Sequence, residues 1–97
     1  SWKARKANML SREGDVLKIA GPMNIGSAAN LLNQSNGQLS GVKVVDLSDV
    51  TEVDSAAISL MLEWRRQVQD QALRFANLPS ALTSLADLYG VNELIPR

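Results

Sequence analysis

The chain has 97 residues, with ten basic and ten acidic side chains, no histidine and no cysteine. That length allows one domain built on one core, 1–97, and the balanced charge provides no overall field towards nucleic acid or an anionic membrane. Disulfides, thiolate metal sites, cysteine nucleophiles, the Ser-His-Asp triad and the usual zinc ligand sets are excluded by composition.

No apolar run approaches the ~20 residues of a membrane span and no signal peptide is visible, so a soluble cytoplasmic domain without direct membrane insertion is expected. Ser1-Trp2 is compatible with a trimmed start. The basic residues Lys3, Arg5, Lys6, Arg12 and Lys18 crowd the beginning of the chain. A solvated first hairpin accounts for them better than a phosphate-binding patch.

Taken in order, Ala7 to Leu10 and Val16 to Ala20 are short apolar-rich runs, and Gly14-Asp15 between them reads as a hairpin turn. Gly21-Pro22 is expected to stop the second strand. Asn24 then caps a helix in which Ile25, Ala28, Ala29 and Leu32 share one face. Gly26, Asn30 and Asn33 make that helix intrinsically poor, so packing must hold it. After Asn36-Gly37 and Gly41, the run Val42 to Leu47 suits a strand buried on both faces.

Asp46, Ser48, Asp49, Thr51, Glu52, Asp54 and Ser55 follow as a polar loop. Asp54 is placed to accept hydrogen bonds from the first helical turn, and its charge suits the positive end of the helix dipole. This leaves Ser55 at an exposed helix N-terminus. Leu73 to Ala76 reads as a further short strand with Phe75 buried. Pro79 opens a last helix, Leu82, Leu85, Ala86 and Tyr89 recur on one face of it, and Gly90 caps it. Leu94 and Ile95 of the tail are expected to dock. The resulting order, ββαβαβα, predicts an α/β fold: a small mixed sheet with helices packed on it.

The main helix, Ala56 to Ala72, carries more apolar surface than one contact requires. Ala57, Ile58, Leu60, Met61, Leu62, Trp64 and Val68 span about 200° of its circumference, roughly twice the usual stripe. Either both sides are buried, between the sheet and a neighbouring helix, or one side is exposed and receives a partner helix around a Trp anchor. The pattern leaves both readings open.

Little in the sequence supports catalysis. Asp46, Asp49, Glu52 and Asp54 place four carboxylates within nine residues, which invites a magnesium or phosphoacceptor reading. A receiver-type site also needs an acidic pair after an earlier strand and a Lys after a later one. Those places read Ala20-Gly21-Pro22 and Phe75-Ala76-Asn77, so capping and turn roles explain the cluster better. Ser55 has no base and no Gly-x-Ser-x-Gly setting, so it is not a nucleophile. It remains a contact or modification site, although a phosphate there would be repelled by Asp54. No enzyme activity, metal or cofactor is expected.

The run Asp46-Leu-Ser-Asp-Val-Thr-Glu-Val-Asp-Ser-Ala-Ala-Ile58 resembles the signature of STAS domains, D-L-S-x-V-x-x-[IVM]-D-[ST]-[SAG]-[GA]-L. Asp46, Ser48 and Ile58 stand at its motif positions. One branch of that family, the anti-sigma-factor antagonists, is switched by a kinase on a Ser that would fall at Ala56, which cannot be phosphorylated. The other, MlaB-like, branch has Thr or Ser directly after the second Asp, as Ser55 is here. It also ends in a pattern like Leu85-Ala-Asp-Leu-Tyr-Gly-Val-Asn-Glu-Leu-Ile-Pro-Arg97.

Resemblance to that second branch implies a non-catalytic cytoplasmic subunit, peripheral at the inner membrane. It would bind and support an MlaF-like ATPase in a phospholipid ABC transporter that also holds permease and substrate-binding subunits and maintains outer-membrane lipid asymmetry. It further implies that Ile58, Met61 and Leu62 face the sheet. Leu60 and Trp64 would then lie exposed beside Asp54 and Ser55 as the ATPase-binding face. The alternative is a kinase-partner signalling switch.

Overall fold

The computed structural model describes residues 9–97. Strands β1 (Met9–Glu13) and β2 (Val16–Met23) form the expected hairpin, with Glu13 paired to Val16. Gly14 takes φ +61° in the turn, a conformation that favours glycine. Strand β3 (Val44–Val53) runs parallel to β2, and the short β4 (Arg74–Ala76) runs parallel to β3. The spatial order is therefore β1-β2-β3-β4. Ala7 and the basic residues Lys3, Arg5 and Lys6 lie outside the described residues. Arg12 is a structural clip, donating to the carbonyls of Gly14 (2.9 Å) and Gln38 (2.9 Å).

Two strand boundaries differ from expectation. Gly21-Pro22 does not end β2, which continues to Met23. Pro22 lies at a break in the β2–β3 register, where its missing N–H does not interrupt a regular ladder. Strand β3, in turn, continues through the stretch expected to be a polar loop. It is buried on one face only: Val45, Leu47 and Val50 point into the core, while Ser48, Asp49, Thr51 and Glu52 are exposed. Two register shifts explain the pattern. Lys18 pairs with Asp46 but Ala20 with Asp49, and Gly21 pairs with Val50 but Pro22 with Glu52. Each shift admits one extra residue into β3 as a bulge and reverses the parity of its side chains.

Three helices, α1 (Ala28–Ser35), α2 (Ser55–Gln67) and α3 (Ser80–Tyr89), complete the order ββαβαβα. Their inward residues join Leu17, Ile19, Val45, Leu47 and Phe75 of the sheet in one hydrophobic cluster. The opposite sheet face, with Lys18, Asp46 and Arg74, is half-buried or open to water. Helix α1 starts later than Asn24 suggested. Asn24 instead closes a preceding turn, its Oδ1 accepting from the Ser27 N–H (3.1 Å) and its carbonyl from the Ala28 N–H (2.9 Å).

Helix α2 stops at Gln67, short of Ala72, and a 3-10 turn (Gln69–Gln71) leads to Ala72 in a left-handed conformation. Helix α3 follows expectation except at Tyr89, which stands on the expected apolar face but is exposed. Pro79 precedes it, Leu82 and Ala86 are buried, and Gly90 at φ +66° donates to the carbonyls of Ala86 and Asp87. In the tail Ile95 is buried, whereas Leu94 is exposed and does not dock. The Phe75 N–H donates to the Pro96 carbonyl (2.8 Å), which ties the tail to β4. Among the described residues, no helix is long and apolar enough to cross a membrane.

Candidate partner-docking surface

Asp54 joins three elements. Its extended backbone ends β3 and caps α2, with Oδ1 accepting from the Ala56 N–H (2.8 Å). Its other oxygen, Oδ2, accepts from the Ile25 N–H (3.0 Å). One carboxylate thus fixes the start of α2 against the turn that leads into α1. Ser55, the first residue of α2, is exposed as expected.

The four clustered carboxylates do not converge. Asp46 accepts from Asn77 Nδ2 (3.0 Å) and from the Ser48 N–H (3.0 Å). The Asn77 bond, with the Ser48 bond second among the favourable contacts, holds its carboxyl below the ordinary value against the opposing effect of partial burial. Asp49 pairs with Lys18 (3.2 Å), whose pKa is raised by that hydrogen bond and by the carboxylate's charge. Glu52 accepts from Asn24 Nδ2 (2.7 Å), and Asp54 serves the two backbone N–H groups. Each acid does separate structural work, and among the described residues no group of three or more acids could hold a metal ion.

The expected exposure of Leu60 and Trp64 is overturned. Trp64 is fully buried and Leu60 is 5% exposed. The second apolar side of α2 is covered because α1 packs beside it, so both sides of the helix enter the core. The indole closes that contact, with Trp64 Nε1–H donating to the buried Ser35 Oγ (2.8 Å), which itself donates to the Leu32 carbonyl (2.8 Å). Ile58 and Met61 are buried as expected, and Leu62 is only half-buried.

A different apolar surface is open. Helix α1 buries Leu31 and Ser35, so the face marked by Ile25, Ala28, Ala29 and Leu32 turns away from the core. With Ala56, Ser59 and the edge of Leu60 from α2, it lines a groove of about 560 Å³, with Asp54 and Ser55 at its polar end. Ile25 is 81% exposed there. The sequence identifies the face, but assigns it to packing. What distinguishes it is Ser35, a polar residue one turn beyond Leu31, which marks the stripe that meets Trp64. The structure therefore brings Asp54, Ser55 and Leu60 to one site, and places Trp64 behind it rather than on it. Asp46 and Ser48 belong to the strand, outside the groove lining.

The fold is similar to that of the anti-sigma factor antagonist SpoIIAA. In its unphosphorylated form that protein superposes with a TM-score of 0.67 at 15% identity, over 92% of this chain and 85% of the other. The phosphorylated form of the same Bacillus cell fate determinant gives a TM-score of 0.59 at 15% identity, over 92% and 88%. This identity establishes the fold alone. No curated protein sequence matches the chain. Residues 8–96, nearly the whole chain, match the family described as Mlab, STAS domain, and the chain belongs to that family.

Proposed function

We propose that this chain is a non-catalytic STAS subunit that binds the ATPase of a Mla-type, phospholipid-transporting ABC complex and supports its activity. In that role it is cytoplasmic and held at the inner membrane through the transporter, alongside permease and substrate-binding subunits. The observation that carries the reading is the open apolar groove beginning at Ser55. A surface of this kind, with Ile25 81% exposed at its end, is suited to covering by a protein rather than to chemistry. The family adds its weight, and Ala56 lacks the hydroxyl that a kinase-switched antagonist needs.

Affinity purification of the tagged chain from its native cells tests the proposal. An ABC ATPase is expected with the wild type and is lost with Ile25→Asp. Recovery of a sigma-regulating kinase in its place would replace the transporter reading with the antagonist one. Ser55→Ala and Ser55→Asp are expected to change the ATPase rate of the assembled transporter. Unchanged rates would remove Ser55 from the mechanism.

A further inference from the structure

The groove has a charged end as well as an apolar length. At the Ile25 end, Asp54 Oδ2 receives the Ile25 N–H, and Glu52 Oε2 receives Nδ2 of the adjacent Asn24. Asp54 thus lines one end of the groove, and Glu52, outside the lining, is tied to the residue that precedes Ile25. Among the described residues neither makes an ion pair, and among the described residues no cation lines the groove itself.

The walls come from α1, its preceding turn and the first turns of α2, so no strand edge is available for β-addition. The small side chains Ala28, Ala29 and Ala56 allow another helix to approach closely, while Ile25 and Leu32 provide larger apolar contacts.

Resting on the docking reading above, we infer that the occupant is an amphipathic helix of the ATPase whose apolar stripe fills the groove and which carries a Lys or Arg at the end facing Glu52 and Asp54. The apolar stripe provides most of the affinity. The basic residue fixes the direction in which the helix lies, because the reversed orientation would leave both carboxylates uncompensated.

The test titrates the copurified ABC ATPase subunit with wild type, Ile25→Asp, Glu52→Gln and Glu52→Lys at low and high salt. Glu52→Gln keeps the acceptor for Asn24 and removes only charge, and Ile25 is too exposed for its replacement to disturb the core. Binding is expected to be abolished by Ile25→Asp. It should weaken about two- to fivefold with Glu52→Gln and about tenfold or more with Glu52→Lys, with both charge effects fading towards 1 M salt.

Loss with Ile25→Asp but indifference to both Glu52 variants and to salt would overturn the basic helix and leave the docking reading standing. Wild type that binds no ATPase would overturn both. A self-association abolished by Ile25→Asp and seen by analytical ultracentrifugation without the ATPase would assign the groove to a second copy and overturn the inference.

Discussion

Replacing Ser35 by Ala tests the closure between α1 and α2. The serine is 1% exposed and its Oγ accepts the indole N–H of fully buried Trp64 at 2.8 Å. Alanine leaves that N–H without a partner in an apolar interior, which costs about 1–3 kcal/mol. Better helix propensity at residue 35 offsets about 0.5 kcal/mol. The Leu32 carbonyl also loses the Ser35 hydroxyl as a donor.

A net loss of about 1–2 kcal/mol is expected. With a urea slope of about 1 kcal/mol/M for a domain of this size, the midpoint should fall by about 1–2 M. Urea unfolding followed by tryptophan emission in a Trp2→Phe background reports on Trp64 directly. The double variant Ser35→Ala/Trp64→Phe removes both polar groups and should recover part of the loss. An unchanged midpoint for Ser35→Ala would refute the closure, as would a double variant that simply adds the two single effects.

Trp64→Ala should cost about 3–5 kcal/mol because it empties a fully buried site, whereas Ile25→Asp should stay within about 0.5 kcal/mol of wild type; thermal unfolding of the pair separates core from surface. Gly90→Ala should cost about 1 kcal/mol and lower Tm by several degrees. No atom lies within 4 Å of the added methyl, so that cost is purely conformational. The lowered pKa of Asp46 has a definite sign. The unfolded chain takes up the proton first, so this stabilisation is complete above about pH 4 and is lost as pH falls through the lower folded value. Asn77→Ala removes the leading cause, and urea midpoints measured down through that range should then fall less steeply; an unaltered profile would contradict the assignment.

The sequence announces local features best. Gly14, Asp54, Pro79 and Gly90 each do what their backbone chemistry demands, and these four positions mark the hairpin turn, the start of α2 and both ends of α3. The errors arise where distant contacts decide. The bulges in β3 break the two-residue period, so a strand with one wet face looks like an apolar strand followed by a loop. Trp64 combines a large apolar body with one donor, and the acceptor that allows its burial lies 29 residues away, on a helix with weak intrinsic propensity. The apolar faces of α1 and α2 are both visible in the sequence. Which of them is covered depends on how two helices lean together, and no single-helix pattern encodes that.

The two bulges also bear on how the chain tolerates changes in length. Each stores one surplus polar residue between inward-facing ones: Ser48 or Asp49 between Leu47 and Val50, and Thr51 or Glu52 between Val50 and Val53. Removing one residue from either place would restore strict alternation and leave every core side chain on its present face. Loss of a residue there is thus a route by which evolution, or an engineer, can alter the local twist of β3 and the tilt at which Glu52 and Asp54 meet the groove, while the core packing is inherited unchanged.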